Sequence, residues 1–251
     1  MTSIEFFKKN RMQTGIATDF DGTISAITAK NSDAKIDKEA KKLLAKLQRR
    51  YCLVSVISGR PVKQLARLVG IKDVVYIGNH GAEYLINQSY KVVPEALRIA
   101  SLLARINQEL KIYEDNFLLD YKTYSLSIHY RLHPCPETAE IELKRILSKY
   151  VKKELKIIKG RLVFDLSAQG IDKGSAVEHL INAYGLKNFL YIGDDRTDID
   201  AFKKMNKLES SGVRTLKIAL ESAEAPDGLI ENSDLKLHSL KEVNDLFRQL
   251  L

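Results

Sequence analysis

Short apolar runs recur along this chain in a strand–helix–strand rhythm, and that rhythm is interrupted once by a stretch of different period. Gly15-Ile16-Ala17-Thr18, residues 52–57 and residues 74–77 are brief, strongly apolar segments, which suits strands buried on both faces. Between the first two, residues 37–50 carry Leu43, Leu44 and Leu47 on one stripe, a helical spacing. Pro61 opens a second helix through Val69, since proline fits the first helical turn. A βαβαβ order of this kind predicts a doubly wound, mainly parallel, Rossmann-like α/β sheet.

The pattern then changes. Residues 82–86 and 90–93, joined by Asn87-Gln88-Ser89, read as a hairpin. Tyr124, Leu126, Ile128 and Tyr130 alternate with polar residues, the period of a half-exposed antiparallel strand. Helices at about 95–110 and 136–151 accompany strands near 155–158 and 162–166. From Lys173 the α/β rhythm returns, with strands at 189–192 and 215–220 and helices at 173–184, 198–205 and 240–250. The expected organisation is therefore a core of residues 1–84 and 167–251, with an inserted α+β domain at 85–166.

Composition narrows the setting. The chain has 251 residues, 45% of them hydrophobic and 29% charged, enough apolar material for a sizeable core. No apolar run approaches the roughly 18 residues that span a bilayer, and residues 1–13 mix Glu5 with Lys8, Lys9 and Arg11 rather than forming a signal peptide. Cys52 and Cys135 stand far apart without metal-type spacing. A reduced, cytoplasmic setting is the expectation. The net charge is 40 − 32 = +8, which favours anionic partners. The lysines are scattered along helix faces, as in Lys38, Lys41, Lys42 and Lys46, so a solvated surface is the first explanation, a small anionic substrate the second and nucleic acid a distant third; neither nucleic acid nor membrane is expected as a partner.

Polar clusters fall where strands should end, the rim at which open α/β sheets bind ligands. Asp19-Phe20-Asp21-Gly22-Thr23 follows the first strand, and residues two apart on a strand project together. Paired carboxylates repel, and such a pair suits a bound cation or a carboxylate nucleophile. The same run also reads as an Asp-Gly turn before a helix. Ser58-Gly59-Arg60 follows the second strand and offers a hydroxyl, main-chain N–H groups and a guanidinium for phosphate oxygens. Lys173 opens a late helix, and Gly193-Asp194-Asp195-Arg196-Thr197-Asp198 follows another strand.

These four motifs, in this order, resemble those of the haloacid-dehalogenase-like phosphatases. The likeness to their trehalose-6-phosphate phosphatase family is closer. It extends to residues 57–61, to Gly78-Asn79-His80-Gly81-Ala82-Glu83, to residues 193–202 and to residues 122–131 of the insert. The resemblance implies a phosphatase that forms an aspartyl-phosphate on Asp19, with Asp21 as general acid and base. It implies Mg²⁺ held by Asp19, Asp194 and the main-chain carbonyl of Asp21, with Asp195 and Asp198 as supporting groups. Ser58 and Lys173 would stabilise charge on the transferring phosphoryl group. Arg60, Asn79, His80, Asp120, Lys122, Arg131 and Asp165 would contact substrate, beneath a cap that closes and expels water. A sugar phosphate is the implied partner, with a functional link to a sugar-phosphate synthase.

Two departures concern specificity. Asp120 stands where the family usually has Glu, and Asp165-Leu166-Ser167-Ala168 stands where it usually has Glu-x-Arg-Pro. A shorter carboxylate and a missing guanidinium fork leave other glycosides open as substrates, namely glucosylglycerol phosphate and mannosyl-3-phosphoglycerate. A non-catalytic sugar-phosphate-binding regulator is the alternative of a different class.

Overall fold

In the computed structural model the described residues are 3–26, 34–113, 115–150, 153–160, 162–221, 225–226 and 228–251. They form two units, Met1–Lys91 with Asp172–Leu251, and Val92–Ile171.

The first unit begins with helix α1 (Ser3–Lys9), followed by β1 (Thr14–Thr18), α2 (Lys38–Gln48), β2 (Leu53–Ile57), α3 (Val62–Val69), β3 (Val75–Gly78), β4 (Glu83–Ile86) and β5 (Ser89–Val92). The second contains α4 (Pro94–Leu110), β6 (Leu118–Tyr121), β7 (Ser125–His129), α5 (Pro136–Ser148), β8 (Leu155–Gly160) and β9 (Val163–Ala168). The chain then returns to the first unit through α6 (Lys173–Tyr184), β10 (Asn188–Gly193), α7 (Arg196–Glu209), β11 (Arg214–Leu220), β12 (Leu235–Leu237) and α8 (Leu240–Leu250).

The main sheet has the order β12-β11-β10-β1-β2-β3-β4-β5. Strands β12 through β3 run parallel, and β4 turns back antiparallel to β3. This is the mainly parallel α/β architecture expected from the sequence. In β1, β2 and β10 every residue is buried, because helices cover both sheet faces. Ile16, Val54, Val56, Leu190, Ile192 and Ile218 pack on one face against Leu44 of α2, Leu65 of α3 and Phe247 of α8. Alternate residues point the other way, so Tyr191 meets Phe202 of α7 edge-on, with ring centroids 6.0 Å apart. Thr18 lies level with Val56 on one side and Ile192 on the other, which ends three neighbouring strands at one rim.

Helix α2 is capped by Asp37, whose carboxylate accepts from the N–H groups of Glu39 and Ala40. Asn244 of α8 donates to the same oxygen at 3.0 Å, so one side chain both starts a helix and ties it to another.

The second unit is an antiparallel sheet of order β6-β7-β9-β8 with α4 and α5 on its apolar face. Leu126 and Ile128 of β7 and Phe164 and Leu166 of β9 point into that core, while Ser125, Ser127 and Asp165 occupy the other face. Strands β4 and β5, which the sequence assigns partly to the insert, extend the main sheet instead. Edge strand β5 is largely exposed, so the hairpin has one buried side and reads like an antiparallel insert in sequence. Among the described residues no helix is long and apolar enough to cross a membrane.

Leu126 is fully buried whereas Leu97 is 53% exposed. Leu126→Ala should therefore cost about 2–5 kcal/mol in denaturant unfolding, while Leu97→Ala should change stability by no more than about 0.5 kcal/mol.

Candidate active site

The rim where β1, β2 and β10 end gathers the polar motifs. Asp19 continues the ladder past β1, its N–H donating to the carbonyl of Ile192 at 2.8 Å. The chain then turns: the N–H groups of Ile24 and Ser25 both reach the carbonyl of Phe20. Gly22 sits at φ +83°, and a Cβ there would lie 1.9 Å from Asp194 Oδ2, so only glycine lets the turn pass this close. Thr23 Oγ1 donates to Asp194 Oδ1 at 2.7 Å, across 171 residues of chain.

Lys173 is the first residue of α6, behind a capping box formed by Asp172 and Ser175. Its side chain is 1% exposed, and Nζ donates to Asp19 Oδ1 at 2.8 Å and to Asp198 Oδ1 at 2.7 Å, with Asp195 3.6 Å away. Asp195 caps α7 by accepting from the Thr197 and Asp198 N–H groups. Asp198 Oδ2 accepts from the N–H groups of Asp194 and Asp195, both at 3.0 Å. A Cβ on Gly193 would lie 2.2 Å from Asp198 Cγ, so the carboxylate fills the space that glycine leaves.

Charge here is unbalanced. Asp19, Asp194 and Asp198 are all buried and offer carboxylate oxygens within 4.8 Å of one another. Burial pushes Asp19 well above the ordinary carboxylate range, the Lys173 ammonium opposes this, and the charges of Asp195 and Asp194 add to it. Burial and the charge of Asp198 push Asp194 up to about 7, although Thr23 donates to it. Asp195 moves the other way: burial is overcome by Lys173 and by donors from Thr197 and Asp198. Burial would strip the proton from Lys173, but Asp19, Asp195 and Asp198 hold the ammonium well above the usual lysine range. One ammonium thus serves several carboxylates. A hard divalent cation, which prefers oxygen donors, fits the remaining deficit between Asp19 and Asp194. The two oxygens of Asp198 are already engaged by Lys173, two main-chain N–H groups and the Tyr191 hydroxyl.

Asp21 is the more exposed partner of the first motif, and Arg60 grips it as a fork: Nε donates to Oδ2 at 2.7 Å and Nη2 to Oδ1 at 2.6 Å. Ser58 is buried at the end of β2, and its Oγ accepts from the Arg60 N–H at 3.2 Å. Asn79 and His80 both adopt positive φ, 48° and 56°, a strained conformation that persists where surroundings enforce it. Asn79 Nδ2 donates to Glu83 Oε2 at 2.5 Å, and Glu83 also accepts from the Val62 N–H and the Tyr90 hydroxyl. The His80 ring lies so close to Gly59 that a Cβ there would meet Nε2 at 2.4 Å.

In the second unit, register aligns Asp120 of β6, Ser127 of β7 and Asp165 of β9 in one row. Asp120 pairs with Lys122 at 3.0 Å, and Ser127 Oγ donates to Asp165 Oδ1 at 2.6 Å. Burial and the Arg131 charge lower His129, against Asp165 and Asp120, with Lys122 lowering it further. Asp120, Lys122, Arg131 and Asp165 therefore share one polar region. The sequence reading assigned no role to Thr23, Glu83 or Tyr191. Thr23 and Glu83 stand inside recognised motifs, while nothing in the sequence marks Tyr191.

Comparison with known proteins gives a consistent picture. The trehalose-phosphatase family model matches residues 17–228. A probable trehalose-phosphate phosphatase 3 of Oryza sativa subsp. japonica is 26% identical over 248 residues, covering 87% of this chain and 66% of that protein; the chain thus spans just under two thirds of its length. The C-terminal domain of a C. albicans trehalose-6-phosphate phosphatase superposes with a TM-score of 0.77 at 18% identity, covering 99% of this chain and 97% of that one. A haloacid dehalogenase-like hydrolase from Bacteroides thetaiotaomicron gives 0.67 at 15% identity, covering 96% and 100%. At these identities the structures speak for the fold alone.

Asp194 carries a pH signature. Its carboxyl holds a proton to about 7 in the folded protein against an ordinary 3.8, so the folded state binds more protons between those values. Stability without divalent cation should therefore fall as pH rises from about 4 to 7. Asp194→Asn should flatten that slope in thermal melts run with chelator, and added divalent cation at pH above 7 should raise the melting point of the parent protein but not of the variant.

Proposed function

The chain belongs to the trehalose-phosphatase family of haloacid-dehalogenase-like hydrolases, and from that premise we propose that it is a Mg²⁺-dependent phosphatase acting on a sugar phosphate, first among candidates trehalose 6-phosphate. The observation that carries this reading is the buried Asp19, bound to Lys173 at 2.8 Å and sharing a 4.8 Å cluster with Asp194.

In the proposed reaction Asp19 Oδ2 attacks phosphorus, because Oδ1 is held by Lys173. The bond from phosphorus to the sugar oxygen breaks as Asp21 delivers a proton to that oxygen. Asp21 then takes a proton from water, the hydroxide attacks phosphorus, and the bond to Asp19 breaks to release inorganic phosphate. Lys173, placed against Asp19, and Ser58, at the neighbouring strand end, are assigned to the phosphoryl oxygens, where developing negative charge needs donors. Mg²⁺ held by the Asp19 and Asp194 carboxylates and the Asp21 carbonyl would supply the positive charge that lets an anionic nucleophile approach an anionic substrate.

Arg60 adds a condition. The guanidinium fork occupies both Asp21 oxygens, whereas delivering a proton to the leaving oxygen needs one of them free. The substrate's phosphate competes for the same fork, and Arg60 must loosen its hold before Asp21 can act as an acid. Asn79 and His80 are proposed to line the core side of the site, and Asp120, Lys122, Arg131 and Asp165 to meet sugar hydroxyls. Glucosylglycerol phosphate and mannosyl-3-phosphoglycerate remain the second reading, favoured by the short Asp120 already engaged by Lys122.

Phosphate release from a panel of these three compounds and glucose 6-phosphate tests the proposal. Trehalose 6-phosphate should lead in kcat/KM by about tenfold or more, and chelation should stop turnover. Asp19→Asn should lower kcat by about a thousandfold or more with the fold intact. Equal rates across the panel would remove the substrate assignment, and an active Asp19→Asn variant would remove the covalent step.

A further inference from the structure

Tyr191 is a fully buried phenol inside a catalytic core in which the proposed mechanism gives it no part. It occupies β10, two residues before the strand ends at Gly193, and its hydroxyl donates to Asp198 Oδ1 at 2.6 Å. The ring is fixed by edge-on contact with Phe202 at 6.0 Å. Burial and the neighbouring Asp198 charge hold the phenol well above its ordinary range, so it remains a hydrogen-bond donor at any physiological pH.

Its acceptor is the hinge of the site. Asp198 receives Tyr191 and Lys173 on Oδ1 and the Asp194 and Asp195 N–H groups on Oδ2. Four donors thus converge on its two oxygens. Through Lys173 the same network reaches Asp19 at 2.8 Å, and through the main chain it fixes the segment carrying Asp194.

We propose that Tyr191 is a positioning residue: its hydroxyl fixes the Asp198 carboxylate, which in turn sets Lys173 against the nucleophile Asp19 and holds the Asp194 segment at the strand end. The assignment of a catalytic consequence rests on the phosphatase reading above; the mechanical role does not. A ring that merely filled the core would act through packing against Phe202, and phenylalanine would serve there equally well. The hydroxyl works instead through hydrogen bonds in a low-dielectric interior, where network members reinforce one another.

Tyr191→Phe keeps the ring and its packing and removes only the donor. It should lower kcat by about tenfold with KM within about twofold, the pattern of a lost transition-state interaction. In combination with Asp198→Asn it should add almost nothing, because both changes cut the same link. Amide hydrogen exchange at Asp194 and Asp195 should quicken by about tenfold in Tyr191→Phe, read by NMR on the folded protein. The control Phe247→Leu, in the core on the opposite face of the sheet, should lower the melting point while leaving kcat and those two amides as they were. Turnover of Tyr191→Phe within about twofold of the parent, or independent effects of the two variants, would overturn the catalytic role. Unchanged exchange at Asp194 and Asp195 would overturn the positioning role. Should the parent protein release no phosphate from any substrate, the phosphatase reading fails, and the exchange rates still decide whether Tyr191 positions the site.

Discussion

A single buried ammonium organises this protein's rim. Lys173, 1% exposed, binds Asp19 at 2.8 Å and Asp198 at 2.7 Å, and without it two carboxylates would sit unpaired in the interior. Removing one partner of a buried pair typically costs about 3–5 kcal/mol because the other charge is stranded. The arrangement therefore couples function to stability. The residue that faces Asp19 is also the one that makes burying its carboxylate tolerable. What Lys173 leaves uncompensated, chiefly at Asp194, is the electrostatic opening into which a divalent cation fits.

The parallel sheet makes that concentration possible. Three strands, β1, β2 and β10, come from distant parts of the sequence yet finish level with one another, so Asp19, Ser58 and Asp194 leave the sheet at one edge. Covering both faces with helices spares the strands any polar face and keeps the rim as the place where charge can gather. The second unit solves a different problem. Its antiparallel sheet packs one face on α4 and α5 and leaves the other polar, and on that face Asp120, Lys122 and Asp165 are already engaged in pairs with near neighbours. Any ligand there must exchange these contacts for its own, which favours one bearing several hydroxyl groups over a purely apolar one.

Much of this was legible because burial on both faces writes an unmistakable apolar run. The strands at 53–57, 75–78 and 188–193 follow that rule. The motif residues after them were legible because strand ends are where polar groups return. Elements lacking either signal were not. Helix α1 buries only Phe7, β12 has three residues with two exposed, and β6 is an edge strand with Leu118 55% exposed. The β4–β5 hairpin looked like part of the insert because one face is wet. Pairings across long sequence separations were also invisible, as with Arg60 and Asp21 or Thr23 and Asp194, and so was the Tyr191 hydroxyl on Asp198, a pair that is near in sequence but joins a strand to the helix after it. A tyrosine in an apolar strand reads as core packing until the residue opposite its oxygen is known.

The proposed site requires Asp19 and Asp194 to share one divalent ion. Anomalous diffraction from crystals soaked in Mn²⁺, a spectroscopically visible stand-in for Mg²⁺, tests it most directly. A single strong peak is expected at this rim, about 2.1 Å from a carboxylate oxygen of each residue. A peak that touches only one of the two carboxylates, or no peak there at saturating Mn²⁺, would contradict it.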